Sequence, residues 1–168
     1  MGVAAPRPLA ELDDRSTFDC GRESINAWFR RRAWQNQLMN VSRTSVICDV
    51  SSGRIAGFVA LSSGQIEREF LPKSYRRNKP DPVPVVLLGQ LGVANEYQGQ
   101  GYGHSLLRFA INIALESSRH FGSFGVITHP IDEAARRFYE RAGFQDLPFD
   151  PRRAMIVRMV DLERTLAT

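Results

Sequence analysis

The chain has 168 residues, 43% of them hydrophobic and 24% charged, with a formal net charge of +4. These are globular proportions, and the length suits one domain over residues 1–168 with a single substantial core. No stretch is apolar for long enough to span a membrane, and Met1 to Asp14 lacks the apolar core of a secretion signal, so the expected location is cytoplasmic. Cys20 and Cys48 are far apart in sequence, which argues against a disulfide framework and for free thiols. His104, His120 and His129 lack metal-ligand spacing, and no metal is expected.

In chain order, Phe18-Asp19-Cys20-Gly21 reads as a loop before a helix over residues 24–37, where Ile25, Trp28, Phe29 and Ala33 recur at helical spacing. Residues 44–50 are strand-like, Ser51-Ser52-Gly53 is a turn, and 55–66 is a second, long strand pairing antiparallel with the first. Residues 67–84 are rich in basic residues and prolines and read as an exposed excursion with a short helix near Lys73-Ser74-Tyr75. A central buried strand follows over 85–94, then a helix over 103–119 with Leu106, Leu107, Ala110, Ile111, Ala114 and Leu115 on one stripe. A short strand over 124–128 precedes a helix over 132–142 with Ala135, Phe138 and Ala142 on one face, ended by Gly143. Residues 154–160 alternate as a last strand. The order β-α-β-β-β-α-β-α-β implies an α/β (α+β) architecture, a mixed sheet with helices on both faces.

The run Gln98-Gly99-Gln100-Gly101-Tyr102-Gly103 stands between the central strand and the helix after it. Such a turn presents backbone N–H groups and the positive end of a helix dipole to an anion such as a pyrophosphate, and its glycines let the backbone approach closely. A dinucleotide fingerprint needs a third glycine, where this chain has His104 or Leu106. A P-loop needs a terminal Gly-Lys-Ser/Thr, and none follows. What remains is Gln-x-x-Gly-x-Gly, which resembles the pyrophosphate-binding signature of the GNAT superfamily of acetyl-CoA-dependent acyltransferases. Downstream, Asp132-Glu133-Ala134-Ala135-Arg136-Arg137-Phe138-Tyr139-Glu140-Arg141-Ala142-Gly143-Phe144 resembles the GNAT segment Asn-x-x-Ala-x-x-Phe-Tyr-x-x-x-Gly-Phe, with Asp132 where Asn is frequent.

The N-terminal half is similar to one branch of that superfamily. Phe18-Asp19-Cys20-Gly21, Ile25-Asn26-Ala27-Trp28-Phe29, Thr44-Ser45-Val46 and Leu88-Gly89-Gln90-Leu91-Gly92-Val93 carry the likeness. Gly92 stands where the branch usually has Ala, and Gln90 where Arg is frequent. The branch contains toxins of bacterial toxin–antitoxin pairs, which acetylate the amino group of aminoacyl-tRNA and stop translation. The resemblance implies a GNAT fold with a mixed, mostly antiparallel central sheet, and acetyl-CoA as cosubstrate. It also implies aminoacyl-tRNA as acceptor, a ribbon-helix-helix antitoxin as partner and a homodimer. By the same resemblance, acetyl-CoA is held by Leu91, Gly92, Val93, Gln98, Gly99, Gln100, Gly101, Tyr102, Gly103, His104, Ser105, Asp132 and Phe138, and Tyr139 is the general acid.

The chemistry agrees with these assignments. A model α-amine has a pKa of about 7.7–8.0, so an appreciable fraction is neutral near pH 7 and no strong base is needed. The leaving thiolate gains from a proton donor; full transfer from a tyrosine is uphill by about 1.5 units, roughly 2 kcal/mol, which partial transfer lowers. His129, at a strand end, is a lesser candidate for proton transfer, and Trp28 and Trp34 read as core or interface. The basic clusters Arg30-Arg31-Arg32, Arg76-Arg77 with Lys79, Arg136-Arg137 and Arg152-Arg153 suit a polyanionic partner, or a solvated face. Arg30, Arg31, Arg76 and Arg77 are the candidate tRNA contacts. The rival expectations are a GNAT enzyme for a small amine or a protein N-terminus, and a non-catalytic nucleic-acid-binding or regulatory module.

Overall fold

The computed structural model describes residues 2–167. In chain order the elements are β1 (Arg7–Pro8), α1 (Glu23–Arg31), α2 (Ala33–Leu38), β2 (Arg43–Cys48), β3 (Ile55–Ile66), α3 (Lys73–Arg76), β4 (Val83–Val93), α4 (Tyr102–Ser118), β5 (Gly125–Thr128), α5 (Glu133–Arg141), β6 (Gln145–Asp146), β7 (Met155–Arg158) and α6 (Met159–Ala167). The strands form one seven-stranded sheet in the order β1-β2-β3-β4-β5-β7-β6, with β4 central. β4 and β5 pair in parallel, while β1·β2, β2·β3, β5·β7 and β6·β7 are antiparallel. The sheet is thus mixed and mostly antiparallel, as the resemblance implied.

Two compact units are distinguishable: Met1–Ser62 with Gly89–Ile111, and Ser63–Leu88 with Asn112–Thr168. The first is built on three rings. Phe29 stacks on Phe58 with centroids 4.1 Å apart, and Phe18 meets both edge-on at 4.9 and 5.4 Å. All three rings are buried, and such pairs add about 0.5–1.5 kcal/mol each beyond their area. Trp28 stacks on Phe58 at 6.1 Å and Trp34 packs against the same cluster, so both tryptophans serve the core. Cys20 and Cys48 are free thiols.

The second unit buries Ile66, Leu71, Val83, Val85, Ile127, Leu147, Ala154 and Ile156 together. Leu71 corrects the reading of residues 67–84 as wholly exposed. Its side chain is fully buried, with Phe70 and Tyr75 packed beside it, so the excursion is pinned at its middle. Arg158 lies over the Tyr75 ring at 4.3 Å, and the Tyr75 hydroxyl donates to Gln145 Oε1 at 3.2 Å.

Three further boundaries differ from expectation. The helix predicted over 24–37 is two helices that meet at Arg32, where φ widens to −117°. The last strand stops at Arg158 and becomes α6. Arg158 Nε and Nη2 grip the Asp161 carboxylate at 2.8 and 3.0 Å, a pair spaced for a helical turn, whereas the apolar alternation runs on through Met159 unbroken. The two-residue strands β1 and β6 are too short to carry a periodic signal.

β5 precedes α5 in the chain, and its register with β7 rests on Gly125. A Cβ built there would lie 2.5 Å from the Val157 carbonyl oxygen and 3.2 Å from Arg158 Cα. Gly125→Ala is expected to cost about 1–3 kcal/mol of stability, since backbone rather than a flexible side chain blocks it. Denaturant unfolding checks this; a midpoint equal to that of the parent would contradict the β5·β7 register.

Candidate functional site

β4 supplies the first part of the site. Its pairing with β5 ends at Leu88↔Thr128, where the Thr128 hydroxyl also donates to the Leu88 carbonyl at 3.0 Å. Gly89, Gln90, Leu91, Gly92 and Val93 extend the strand beyond the end of β5. Gly92 is buried and close-packed: a Cβ there would meet Phe58 at 3.1 Å, Ile25 at 3.2 Å and Cys20 Sγ at 3.5 Å. Packing therefore requires glycine at this position. Leu91 and Val93 are half-buried on either side of it.

The turn after β4 has the geometry its glycines suggested at two of three positions. Gly99 and Gly101 hold φ of 77° and 86°, a region that glycine enters without steric cost. A Cβ on either would meet nothing within 4 Å, so the turn faces open space. Gly103 differs, because it lies inside the first turn of α4. Ser105 closes that turn, its N–H and hydroxyl both donating to the Gly101 carbonyl, at 3.1 and 3.3 Å. Amides ahead of the first helical bond point out of the helix end and carry its partial positive charge. The turn thus fits a pyrophosphate: an open cradle of backbone donors at the N-terminus of a 17-residue helix.

Gln98 is turned to another task. Its amide nitrogen donates to the carbonyls of Val93 (2.9 Å) and Cys20 (3.0 Å), with Asn95 Oδ1 at 3.4 Å. It ties the end of β4 to the N-terminal segment and fixes where the turn begins. Gln100 reaches back to the Glu96 carbonyl at 3.5 Å, while His104 and Ser105 are exposed on the first turn of α4 beside the half-buried Tyr102.

α5 carries the second motif. Asp132 caps it, Oδ1 accepting the Ala135 N–H at 2.8 Å, and Gly143 ends it at φ 98°. The Asp132 carboxylate therefore does structural work at the position implied for a pantetheine contact. Tyr139 is 6% exposed, held edge-on between Phe138 (5.1 Å) and Phe144 (5.3 Å). The inward side of this helix is centred on Arg136 and Tyr139, flanked by Ala135 and Phe138. Arg136 corrects both readings of the Arg136-Arg137 cluster, polyanion contact and solvated face. It is buried, paired through Nη1 with Asp146 on β6 and donating through Nη2 to the Arg153 carbonyl at 2.9 Å. Its charge made an inward position look solvated.

The acceptor candidates divide in a similar way. Arg30 donates to the Phe18 carbonyl and pairs with Glu23 at 3.7 Å. Arg76 gives Nε and Nη2 to the carbonyls of Leu71 and Glu69, each at 2.8 Å, and its guanidinium lies 5.0 Å from the Phe149 ring centroid. Both are engaged in holding the chain. Arg31 and Arg77 are exposed. His129 is half-buried at the end of β5; burial, and then Arg152 nearby, hold its imidazole below the ordinary value, so it favours the neutral form.

The acetyltransferase (GNAT) family pattern matches residues 9–144. A tRNA-acetylating toxin of Mycobacterium tuberculosis (strain ATCC 25618 / H37Rv) is 38% identical over 156 residues, 93% of each chain. Among solved structures, AtaT complexed with acetyl-methionyl-tRNAfMet is 26% identical with a TM-score of 0.88, covering 96% of this chain and 98% of that one. AtaTR bound with acetyl-CoA is 27% identical with a TM-score of 0.84, covering 96% and 97%.

Gly101→Val is expected to weaken coenzyme A binding far more than it lowers stability. A β-branched residue is strained at φ 86°, and its side chain would fill the open cradle. Calorimetric titration with coenzyme A decides: unchanged affinity in a folded variant would remove this turn from the site.

Proposed function

The chain belongs to the acetyltransferase (GNAT) family, and from that premise we propose that it moves the acetyl group of acetyl-CoA to the amino group of an aminoacyl-tRNA, as the translation-blocking toxin of a toxin–antitoxin pair. The observation that carries this reading is the likeness to the mycobacterial tRNA-acetylating toxin, which extends over 93% of both chains. Among the described residues no helix is long and apolar enough to cross a membrane.

Acetyl-CoA supplies an activated acyl group whose thiolate leaves as the new amide forms. The protein's part is to hold, orient and protonate. The open turn at Gly99–Gly101 and the N-terminus of α4 are suited to the pyrophosphate. Leu91 and Val93, on the strand end beyond β5, have backbone groups for the pantetheine arm and for the developing oxyanion. Tyr139 is the general acid that protonates the departing thiolate. Its burial among Phe138 and Phe144 fixes the ring, so the hydroxyl has one direction. The amine needs no protein base beyond water, given its ordinary pKa.

For the acceptor, Arg31 and Arg77 have the exposure that phosphate contacts require. Arg30 and Arg76 act by holding the segments that carry them. The partners that go with this reading are a ribbon-helix-helix antitoxin and a second copy of the chain in a homodimer.

The function is tested in a cell-free extract. Protein synthesis should stop when the enzyme and acetyl-CoA are both present and continue when either is omitted; arrest without acetyl-CoA would refute an acetylating toxin. Tyr139→Phe should keep the fold and the affinity for acetyl-CoA, because a phenylalanine ring preserves both edge contacts. Its turnover should fall by about 10²–10⁴-fold, the usual worth of general acid catalysis. A near-parental kcat, with chemistry rate-limiting, would free Tyr139 of that role. Arg31→Ala with Arg77→Ala should weaken tRNA binding and flatten its log–log salt slope by about 0.7–0.9 per lost phosphate contact. A filter-binding series across salt concentrations measures it, and an unchanged slope would take these residues out of the tRNA surface.

A further inference from the structure

Asn26 belongs to none of the acetyl-CoA motifs, yet it is 2% exposed and bonded on both sides of its amide. Its Oδ1 accepts the Cys20 N–H at 2.8 Å, and its Nδ2 donates to Asp19 Oδ1 at 2.9 Å. The same Asp19 oxygen accepts the Gly21 N–H at 2.8 Å. The Gly21 N–H and then the Asn26 amide hold the Asp19 carboxyl below its ordinary range, so it stays charged and accepting. Together these bonds fold Asp19-Cys20-Gly21 into a fixed turn, with Gly21 at φ 85°.

That turn aims two carbonyls at the corner between β4 and the glycine loop. The Asp19 carbonyl accepts the Asn95 N–H at 2.9 Å, and the Cys20 carbonyl accepts Gln98 Nε2 at 3.0 Å. Gln98 meanwhile holds the Val93 carbonyl at 2.9 Å. The helix carrying Asn26 also approaches β4 directly, since a Cβ on Gly92 would stand 3.2 Å from Ile25 Cγ2. An unbroken chain of hydrogen bonds therefore leads from α1 to the residue immediately before Gly99.

We propose that Asn26 is a positioning residue for acetyl-CoA: through Asp19 and Cys20 it sets the place of Gln98, and so the backbone of the Gly99–Gly101 cradle. This rests on the reading of that cradle as the acetyl-CoA pyrophosphate site. An amide is required at this position because one atom must accept from Cys20 while the other donates to a carboxylate. A buried residue that served only to stabilise α1 would alter melting without selecting one ligand.

Asn26→Asp tests the arrangement with no change of shape. It keeps the acceptor for Cys20 and sets an oxygen against the Asp19 carboxylate, where two acceptors repel. Asp19→Ala removes the opposing carboxylate, so Asn26→Asp added to it meets no repulsion. Calorimetry with coenzyme A, steady-state kinetics in acetyl-CoA and thermal melting are measured on the full chain. Asn26→Asp alone should bind coenzyme A about tenfold more weakly, about 1.4 kcal/mol, and raise KM for acetyl-CoA, with kcat at saturation within about twofold. In the Asp19→Ala background, Asn26→Asp should lower the affinity by no more than about twofold further. Parental affinity in a folded Asn26→Asp protein would overturn the proposal, as would a full tenfold further loss when Asn26→Asp is added to Asp19→Ala. Equal coenzyme A affinity in the parent and in Gly101→Val would instead overturn the cradle reading beneath it.

Discussion

A strand that outruns its neighbour leaves backbone N–H and C=O groups to be satisfied by something else, and β4 does this beyond Leu88↔Thr128. The turn that follows has the same character. Gly99 and Gly101, at positive φ with open space on their Cβ side, offer backbone rather than side chains. A site made of main-chain donors gains its precision from whatever holds the main chain still. This explains why Gln98, the first residue of the most recognisable motif, spends its amide on the carbonyls of Val93 and Cys20. It also explains why the aromatic cluster of Phe18, Phe29 and Phe58 lies behind Gly92. Rigid packing there converts binding energy into affinity by sparing the loop an ordering cost on binding.

α5 shows the complementary strategy, a side chain placed by its helix. Asp132 starts the helix, Gly143 stops it, and Arg136 anchors its inner side through Asp146 and the Arg153 carbonyl one turn from Tyr139. Anchoring an aromatic hydroxyl in this way limits it to the orientation its neighbours allow. Such restriction suits the proton-donor role proposed for Tyr139.

Much of this was legible in the sequence, where local chemistry alone determines it. β3 spans the predicted residues, β4 lies at the centre of the sheet, and Gly99, Gly101 and Gly143 occupy the positive-φ positions that their setting suggested. What stayed hidden depends on partners distant in sequence. Arg136 reads as surface until Asp146 is seen beside it. Leu71 reads as part of a polar excursion until the core closes over it. Arg30 and Arg76 read as free cations until the carbonyls they hold are known. Asn26 lies in a segment that carries the branch likeness but in none of the acetyl-CoA motifs, and its place arises from three chain segments meeting: residues 19–21, α1 and the corner at Asn95–Gln98. The switch from β7 to α6 was invisible because the alternation that predicts a strand continues through Met159.

The acetyl-donor side of this chain is family-wide chemistry, so what sets it apart is the acceptor. The net charge of +4 and the exposed Arg31 and Arg77 agree with a polyanion carrying a reactive amine at its end. The most direct measurement offers the protein a complete pool of charged tRNA with acetyl-CoA, then identifies the acyl groups released from the tRNA by mass spectrometry. The account predicts N-acetylated amino acids on a subset of charged tRNAs and no modification of the uncharged pool. Acetyl groups found only on free amines or protein N-termini, with every aminoacyl ester unmodified, would contradict it.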